Sequence, residues 1–336
     1  MKKYVGNQFD SLLVTVIEKF KSELQPLQPK PGVLTTESVS RGIQYILVYL
    51  EEALQLDKPT IFLESLSWFQ KMIPKYNLNE PIVYRGLEII LEELKPYLNP
   101  TDYHACETLI TQSLEQQRQT NKNNQPIIEL STVAQSYLDL LLQIRRSEAS
   151  QLIMDLVNQG MSVKEVYEGI FQPVLYEVGR LWEIQQISIA QEHYCTTTTQ
   201  AIMSQLHPIM FRSEKKGKRF IGSCIGKELH DVGIRMVTDF FEMDGWDTYY
   251  IGANTPRETL LESIQQIKPN LVGLSVTMYY YINEIKELVQ EVRTLDSLKQ
   301  IKIIVGGNAF NSIPDLWKEI GADGFASRAS EAVASN

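Results

Sequence analysis

This chain is short of positive charge, of histidine and of cysteine, and it has no long apolar run. Its 336 residues carry 32 Lys and Arg against 41 Asp and Glu, a formal net charge of −9. That balance opposes nonspecific adhesion to nucleic acid, and no helix-turn-helix, zinc-finger spacing or basic stripe offsets it. Direct nucleic-acid binding is therefore not expected. Apolar residues make up 43% of the chain, yet no uninterrupted apolar stretch reaches the roughly 18 residues of a membrane-spanning helix. Met1-Lys2-Lys3-Tyr4 runs into a mixed amphipathic segment and not into the apolar block of a secretory signal. The three cysteines, Cys106, Cys195 and Cys224, lie far apart and point to reduced thiols in a cytoplasm, not to a disulfide framework. The four histidines, His104, His193, His207 and His230, form no paired metal-binding motif, and neither a Gly-x-Ser-x-Gly elbow nor a Gly-Lys-Ser/Thr phosphate loop is present. Most catalytic classes are thereby set aside, and the chain is not expected to be an enzyme.

The length suits two or three domains. Residues 1–122 read as helices throughout: Asn7 to Leu24, Thr36 to Leu56, Thr60 to Ile73, Glu80 to Leu98 and Thr101 to Arg118. Their role is not legible; the aromatic stripe Phe62 to Phe69 reads as core packing. A polar bridge, Thr120 to Pro126, separates them from a helical bundle over 127–212. A second bridge, Ser213 to Lys218, leads into residues 217–336, where strand and helix signals alternate. Arg219 to Ile225 is apolar and ends in Gly226; Asp231 to Met243 then spaces Val232, Met236, Val237 and Phe240 as a helix does. Strands follow at Thr248 to Ile251, Asn270 to Val276 and Ile301 to Val305, with helices after Pro256 and over Ile282 to Arg293. The fold class is α + α/β: an all-helical N-terminal domain, a helical bundle, and a Rossmann-like doubly wound parallel sheet.

Three signals stand in order within that sheet. Lys227-Glu228-Leu229-His230-Asp231-Val232-Gly233 falls in the first strand-to-helix loop, Ser275-Val276-Thr277 ends a later strand, and Gly306-Gly307 ends the next. All fall at the carboxyl ends of strands, where open α/β sheets bind ligands. The small Ser275 and the two glycines leave room for a bulky group to come close to backbone. The arrangement describes a deep slot with a histidine at its mouth.

The order resembles the cobalamin-binding domain, whose pattern is Asp-x-His-x-x-Gly, then Ser-x-Leu, then Gly-Gly. The resemblance implies that His230 is the lower cobalt ligand, in place of the cofactor's own benzimidazole, and that the benzimidazole tail enters a slot lined by Gly233, Ser275, Thr277, Gly306 and Gly307. Imidazole suits cobalt, and Glu228, standing where the family has Asp, would take the hydrogen bond from the other ring nitrogen. Two departures stand out. Glu228 is one methylene longer than Asp, so its contact is expected to run through water or a different rotamer, and Thr277 replaces Leu.

Upstream, Ser188 and Gln191 read as a capping box that opens a helix to about Met210. Trp182 ends the preceding helix, and Glu192 and His193 lie in the first turns of the next. This Trp and Glu-His spacing resembles the CarH-type adenosylcobalamin photoreceptors, in which these residues cap the upper face of the corrin. An indole and a hydrogen-bonding pair suit an adenosine. In those photoreceptors a histidine that follows the tryptophan becomes the upper ligand after light breaks the cobalt–carbon bond; here that position is Glu183, and His193 or water would have to take the site.

The resemblance therefore implies a light sensor in which photolysis of adenosylcobalamin changes bundle packing or self-association. It implies a homo-oligomer and a separate signalling partner. Photoreceptors with a helical domain in place of the DNA-binding module, the photocobilins, are similar in layout and hold a linear tetrapyrrole such as biliverdin; no bilin-specific residue is matched here, and His104 with Cys106 reads as incidental. The alternative is a corrinoid methyl-carrier protein of a methyltransferase system, which shares the bundle and sheet but needs an open upper face.

Overall fold

A computed structural model describes residues 1–24, 36–72, 80–119, 128–210, 213–313 and 315–335. The bridge Thr120 to Pro126 and the expected helix end at Ile73 lie outside the described residues. The chain divides into two compact units, Met1–Pro126 and Ile127–Asn336.

The first unit is helical among its described residues, with helices Phe9–Leu24, Thr36–Gln55, Pro59–Met72, Glu80–Leu94 and Pro100–Gln119. Each buries one stripe: Ile43, Leu47 and Leu50 on the second helix and Leu87, Ile90 and Leu94 on the fourth follow the helical repeat and are at most 2% exposed. Within the expected aromatic stripe, Phe62 and Leu66 are buried, while Trp68 packs its ring 5.6 Å from that of Tyr45. His104 and Cys106 fall on different faces of their helix. His104 is exposed, Cys106 is fully buried, and burial pushes its thiol up to about 12.

The second unit joins bundle and sheet. The bundle helices are Thr132–Leu142, Arg146–Asn158, Gln172–Glu183 and Ile189–Met210, with a π-helical turn, Tyr167–Phe171, leading into the third. Ser131 caps the first through the amide of Ala134. Tyr137, Tyr167 and Phe171 fill its centre.

The sheet has five parallel strands in the order β2-β1-β3-β4-β5: β1 Arg219–Ile225, β2 Asp247–Thr255, β3 Leu271–Ser275, β4 Lys302–Gly306 and β5 Gly324–Phe325. β1 and β3 lie inside it and are buried almost end to end, as parallel strands covered by helices must be. β2 is at the edge and leaves Tyr249 and Tyr250 exposed. The helix Val232–Met243 lies close to the sheet because β1 carries Gly222, where an added Cβ would meet Thr238 Oγ1 of that helix at 2.2 Å. Phe220 stacks on Phe241 at 4.2 Å, and burying such a ring contributes about 1.5–3 kcal/mol.

This order reverses direction at β1 and β3, so their carboxyl ends open a crevice. Helix and sheet share a buried seam in which Met236, Phe240 and Ala329 join the bundle core. Polar groups cross it too: Tyr167 donates to Asp239 at 2.8 Å, Gln200 to Asp231 at 3.1 Å and Arg235 to Ser204 at 2.7 Å. Among the described residues, no helix is long and apolar enough to cross a membrane.

Candidate functional site

β1 ends at Ile225, and Gly226 turns the chain out of the sheet with φ +62°. The loop then alternates sharply. Lys227 and Leu229 point outward, Leu229 being 70% exposed, while Glu228 between them is 1% exposed. A buried carboxylate needs partners, and this one has four. One oxygen accepts from the His230 amide at 3.0 Å and from His230 Nδ1 at 2.5 Å; the other accepts from the amides of Thr277 at 2.8 Å and Met278 at 2.9 Å.

The contact is thus direct and needs no bridging group. The extra methylene lets Glu228 span from its own loop to the end of β3, a brace the sequence reading missed. Burial pushes the Glu228 carboxyl up, but the His230 hydrogen bond and charge, with the amides of Met278 and His230, outweigh it and hold the group below its usual range. His230 is raised, chiefly by its bond to Glu228 and against burial. Its side chain is 59% exposed, and Nε2 has no hydrogen-bond partner among the described residues.

Ser275 ends β3 opposite Gly306 of β4 and is 7% exposed. The Val276 amide donates to the Gly306 carbonyl at 3.0 Å, and the Ala309 amide to the Val276 carbonyl at 3.2 Å. Gly307 has φ +94°, and a Cβ there would lie 2.3 Å from the Val276 carbonyl oxygen; one on Gly306 would lie 2.8 Å from that of Ala326. Both glycines are therefore required by the chain's own backbone, and not only by an incoming ligand as the sequence suggested. Gly233 differs. A Cβ there would meet nothing within 4 Å, so the fold itself makes no demand for glycine.

On the bundle side, Ser188 and Gln191 form the expected reciprocal cap: the Ser188 amide donates to Gln191 Oε1 at 3.0 Å and the Gln191 amide to Ser188 Oγ at 3.2 Å. In the turns that follow, Glu192 accepts from Thr196 Oγ1 at 2.9 Å and holds His193 Nδ1 at 2.6 Å. Trp182 stands in the last turn of the Gln172–Glu183 helix and packs partly buried against the bundle core. The charge of Glu192 adds to the raising of His230, and farther along the same helix Gln200 donates to Asp231, the neighbour of His230, at 3.1 Å.

A further tie was not legible: Asp231 accepts from Gln200 of the bundle and, at 2.6 Å, from Tyr250 of β2. No spacing in the sequence links those three positions.

Among the described residues no group of three or more His, Cys, Asp or Glu could by itself hold a metal ion. A cobalt that arrives inside a corrin ring brings four nitrogens with it and asks the protein for an axial donor only. An exposed imidazole, fixed at Nδ1 by a buried carboxylate and open at Nε2, suits that need. Residues 218–334 match the B12 binding domain family, and residues 133–207 match a second B12 binding domain family. This stretch is a B12-binding module.

Relatives match most of the module's length. The dimethylamine corrinoid protein 1 of Methanosarcina mazei is 24% identical over 193 residues, which is 56% of this chain and 88% of that protein. The monomethylamine corrinoid protein 1 of Methanosarcina acetivorans is 25% identical over 192 residues, 55% of this chain and 86% of that protein. The solved structure of the Methanosarcina barkeri monomethylamine corrinoid protein superposes with a TM-score of 0.53 at 20% identity, covering 60% of this chain and 94% of that one. The fold is the same. These relatives lend nothing to the expectation of a light sensor, of an adenosyl form or of a bilin; they fall on the side of the corrinoid carriers.

Proposed function

We propose that the B12-binding module carries a corrinoid with His230 as lower cobalt ligand, and that the chain serves as the corrinoid methyl carrier of a methyltransferase system. The observation that carries this reading is the Glu228–His230 pair: a buried carboxylate fixing Nδ1, with Nε2 open at the mouth of the β1–β3 crevice. The similarity to methylamine corrinoid proteins supports the carrier role, and so does the exposure of His193 and Ile189 on the bundle side, which leaves a partner room to approach. In this reading the corrin's cobalt supplies the site where a methyl group rides. The chain's residues do the rest: His230 donates from below, Glu228 keeps its ring oriented, and the loops at Ser275 and Gly306-Gly307 shape the slot for the tail.

A second reading has one specific observation in its favour. Trp182 lies in the last turn of one bundle helix and the Glu192–His193 pair in the first turns of the next, the same chain spacing as in the adenosylcobalamin photoreceptors, and this supports a light sensor whose self-association changes on photolysis.

One experiment separates them. The apo chain is offered methyl-, aquo- and adenosylcobalamin in the dark, and absorption and size-exclusion profiles are taken before and after green light. The carrier reading expects the methyl form to bind at least as well as the adenosyl form and assembly to ignore light. Strong preference for the adenosyl form with a light-driven change in assembly would overturn it in favour of the sensor.

A further inference from the structure

His230 sits in the loop that leaves β1, and β1 lies between β2 and β3. The carboxylates before and after the histidine are anchored to opposite sides of that strand. Glu228 reaches toward the β3 side, to the amides of Thr277 and Met278. Asp231 reaches toward the β2 side and the bundle: Tyr250 of β2 donates to one of its oxygens at 2.6 Å, and Gln200 of the Ile189–Met210 helix donates to the other at 3.1 Å. Asp231 takes these distant partners in place of a nearer one. It is the N-cap of the Val232–Met243 helix, where an aspartate ordinarily accepts from the amide of the second or third helical residue, yet its side chain makes no such cap. Glu228 fixes His230 through its amide and Nδ1, and Asp231 fixes the chain directly beyond it.

We infer that Asp231 is a positioning residue for the cobalt ligand: through Gln200 it sets the place of the imidazole against the bundle, so that the grip of His230 on cobalt depends on a bundle side chain. This rests on the reading of His230 as the lower ligand. A donor grips a metal well only when its neighbours hold it where the lone pair is needed, and outer partners of a metal-bound histidine carry about 10–100-fold of its affinity. Asp231 does this through the backbone of the adjacent residue, and the lower end of that range is expected. A second bond across the same seam serves as the comparison. Arg235 donates to Ser204 at 2.7 Å, one helical turn farther from the histidine loop.

The test uses the full chain loaded with aquocobalamin and reads two quantities. Electron spin resonance of the cobalt(II) form, made with isotope-labelled histidine, shows whether a protein nitrogen is bound; a mediated electrode titration gives the cobalt(II)/cobalt(I) midpoint. Cobalt(I) gives up its axial ligand, so a histidine held about tenfold more loosely raises the midpoint by about 59 mV. Asp231→Ala and Gln200→Glu should each raise it by about that much. Gln200→Glu adds a negative charge, which by itself would lower the midpoint, so a rise there has the sign of a loosened ligand alone. The paired swap of Gln200→Glu with Asp231→Asn re-forms the bond with donor and acceptor exchanged, and it should return the midpoint to that of wild type. Ser204→Ala, which removes the comparison bond, should leave it there. Unchanged midpoints in Asp231→Ala and Gln200→Glu would overturn the inference. So would a rise in Asp231→Ala alone, which a lost charge gives, or a rise that Ser204→Ala shares or that the paired swap leaves in place. A wild type whose cobalt(II) spectrum carries no histidine nitrogen removes the lower-ligand reading, and this inference with it.

Discussion

Glu228→Gln tests the brace beneath the site, because glutamine keeps the volume and removes half of the accepting edge. The carboxylate accepts two hydrogen bonds on each oxygen, from the His230 amide and Nδ1 on one and from the amides of Thr277 and Met278 on the other. An amide can serve only one of those pairs; its NH2 turns toward donors on the other. A hydrogen bond to a charged group contributes about 1.5–3 kcal/mol, so losing two costs about 3 kcal/mol or more. For a unit of this size that lowers Tm by roughly 6–12 °C. Calorimetry of the full apo chain reads the shift.

The pH profile supplies an independent sign. Glu228 is lowered in the fold, so its contribution is complete above its ordinary 4.5 and is lost as pH falls through the lowered value. His230 is raised, so its contribution is complete below its ordinary 6.5 and is lost as pH rises through the raised value. The pair stabilises fully between those two values, and Glu228→Gln should flatten both flanks. A loss under about 1 kcal/mol with unchanged pH dependence would refute the brace, since the cost of two unmet donors could not be that small.

Four other substitutions probe the site at different levels. His230→Ala should abolish cobalamin binding or leave it with its own benzimidazole as lower ligand, and an unchanged spectrum and affinity would remove the ligand assignment. Trp182→Ala should lower any preference for the adenosyl over the aquo form; equal preference before and after counts against a cap. Gly307→Ala meets both a positive φ and a carbonyl oxygen at 2.3 Å, so it should cost about 3 kcal/mol of stability. Gly233→Ala, with open space around it, should be neutral or slightly stabilising, and equal thermal shifts for the two would contradict the packing argument.

Local signals were read well. β1 spans Arg219–Ile225, as the apolar run ending in glycine implied, and the Ser188–Gln191 cap opens a helix that ends at Met210. Each depends on neighbours a few residues apart. The histidine loop could be placed for the same reason, since a strand end and a helix start fix it. What stayed hidden joins distant parts of the chain: Glu228 to Thr277 and Met278, Asp231 to Gln200 and Tyr250, Tyr167 to Asp239. A carboxylate reads the same in sequence whether it faces water or braces another loop. The π-helical turn at Tyr167–Phe171 was also invisible, because the apolar spacing there suits an ordinary helix. β2 runs on past its apolar segment to Thr255, and its pairing with β1 shifts register on the way.

The cysteines take on a meaning of their own once the cargo is considered. Thiolate, not thiol, is the sulfur nucleophile, and a methyl group on cobalt is a target for one. Cys106, Cys195 and Cys224 are all buried, and burial first of all pushes their thiols up, Cys195 to about 11 and Cys106 to about 12. Cys224 lies directly under the histidine loop, with its sulfur 3.5 Å from the His230 carbonyl, and is raised as well. Held neutral and walled off, the sulfur beneath the histidine loop is a poor nucleophile, and the folded chain should ignore a thiol reagent that modifies all three cysteines once it unfolds. If the chain is the methyl carrier proposed above, it hands on a reactive carbon and must first be unable to keep it.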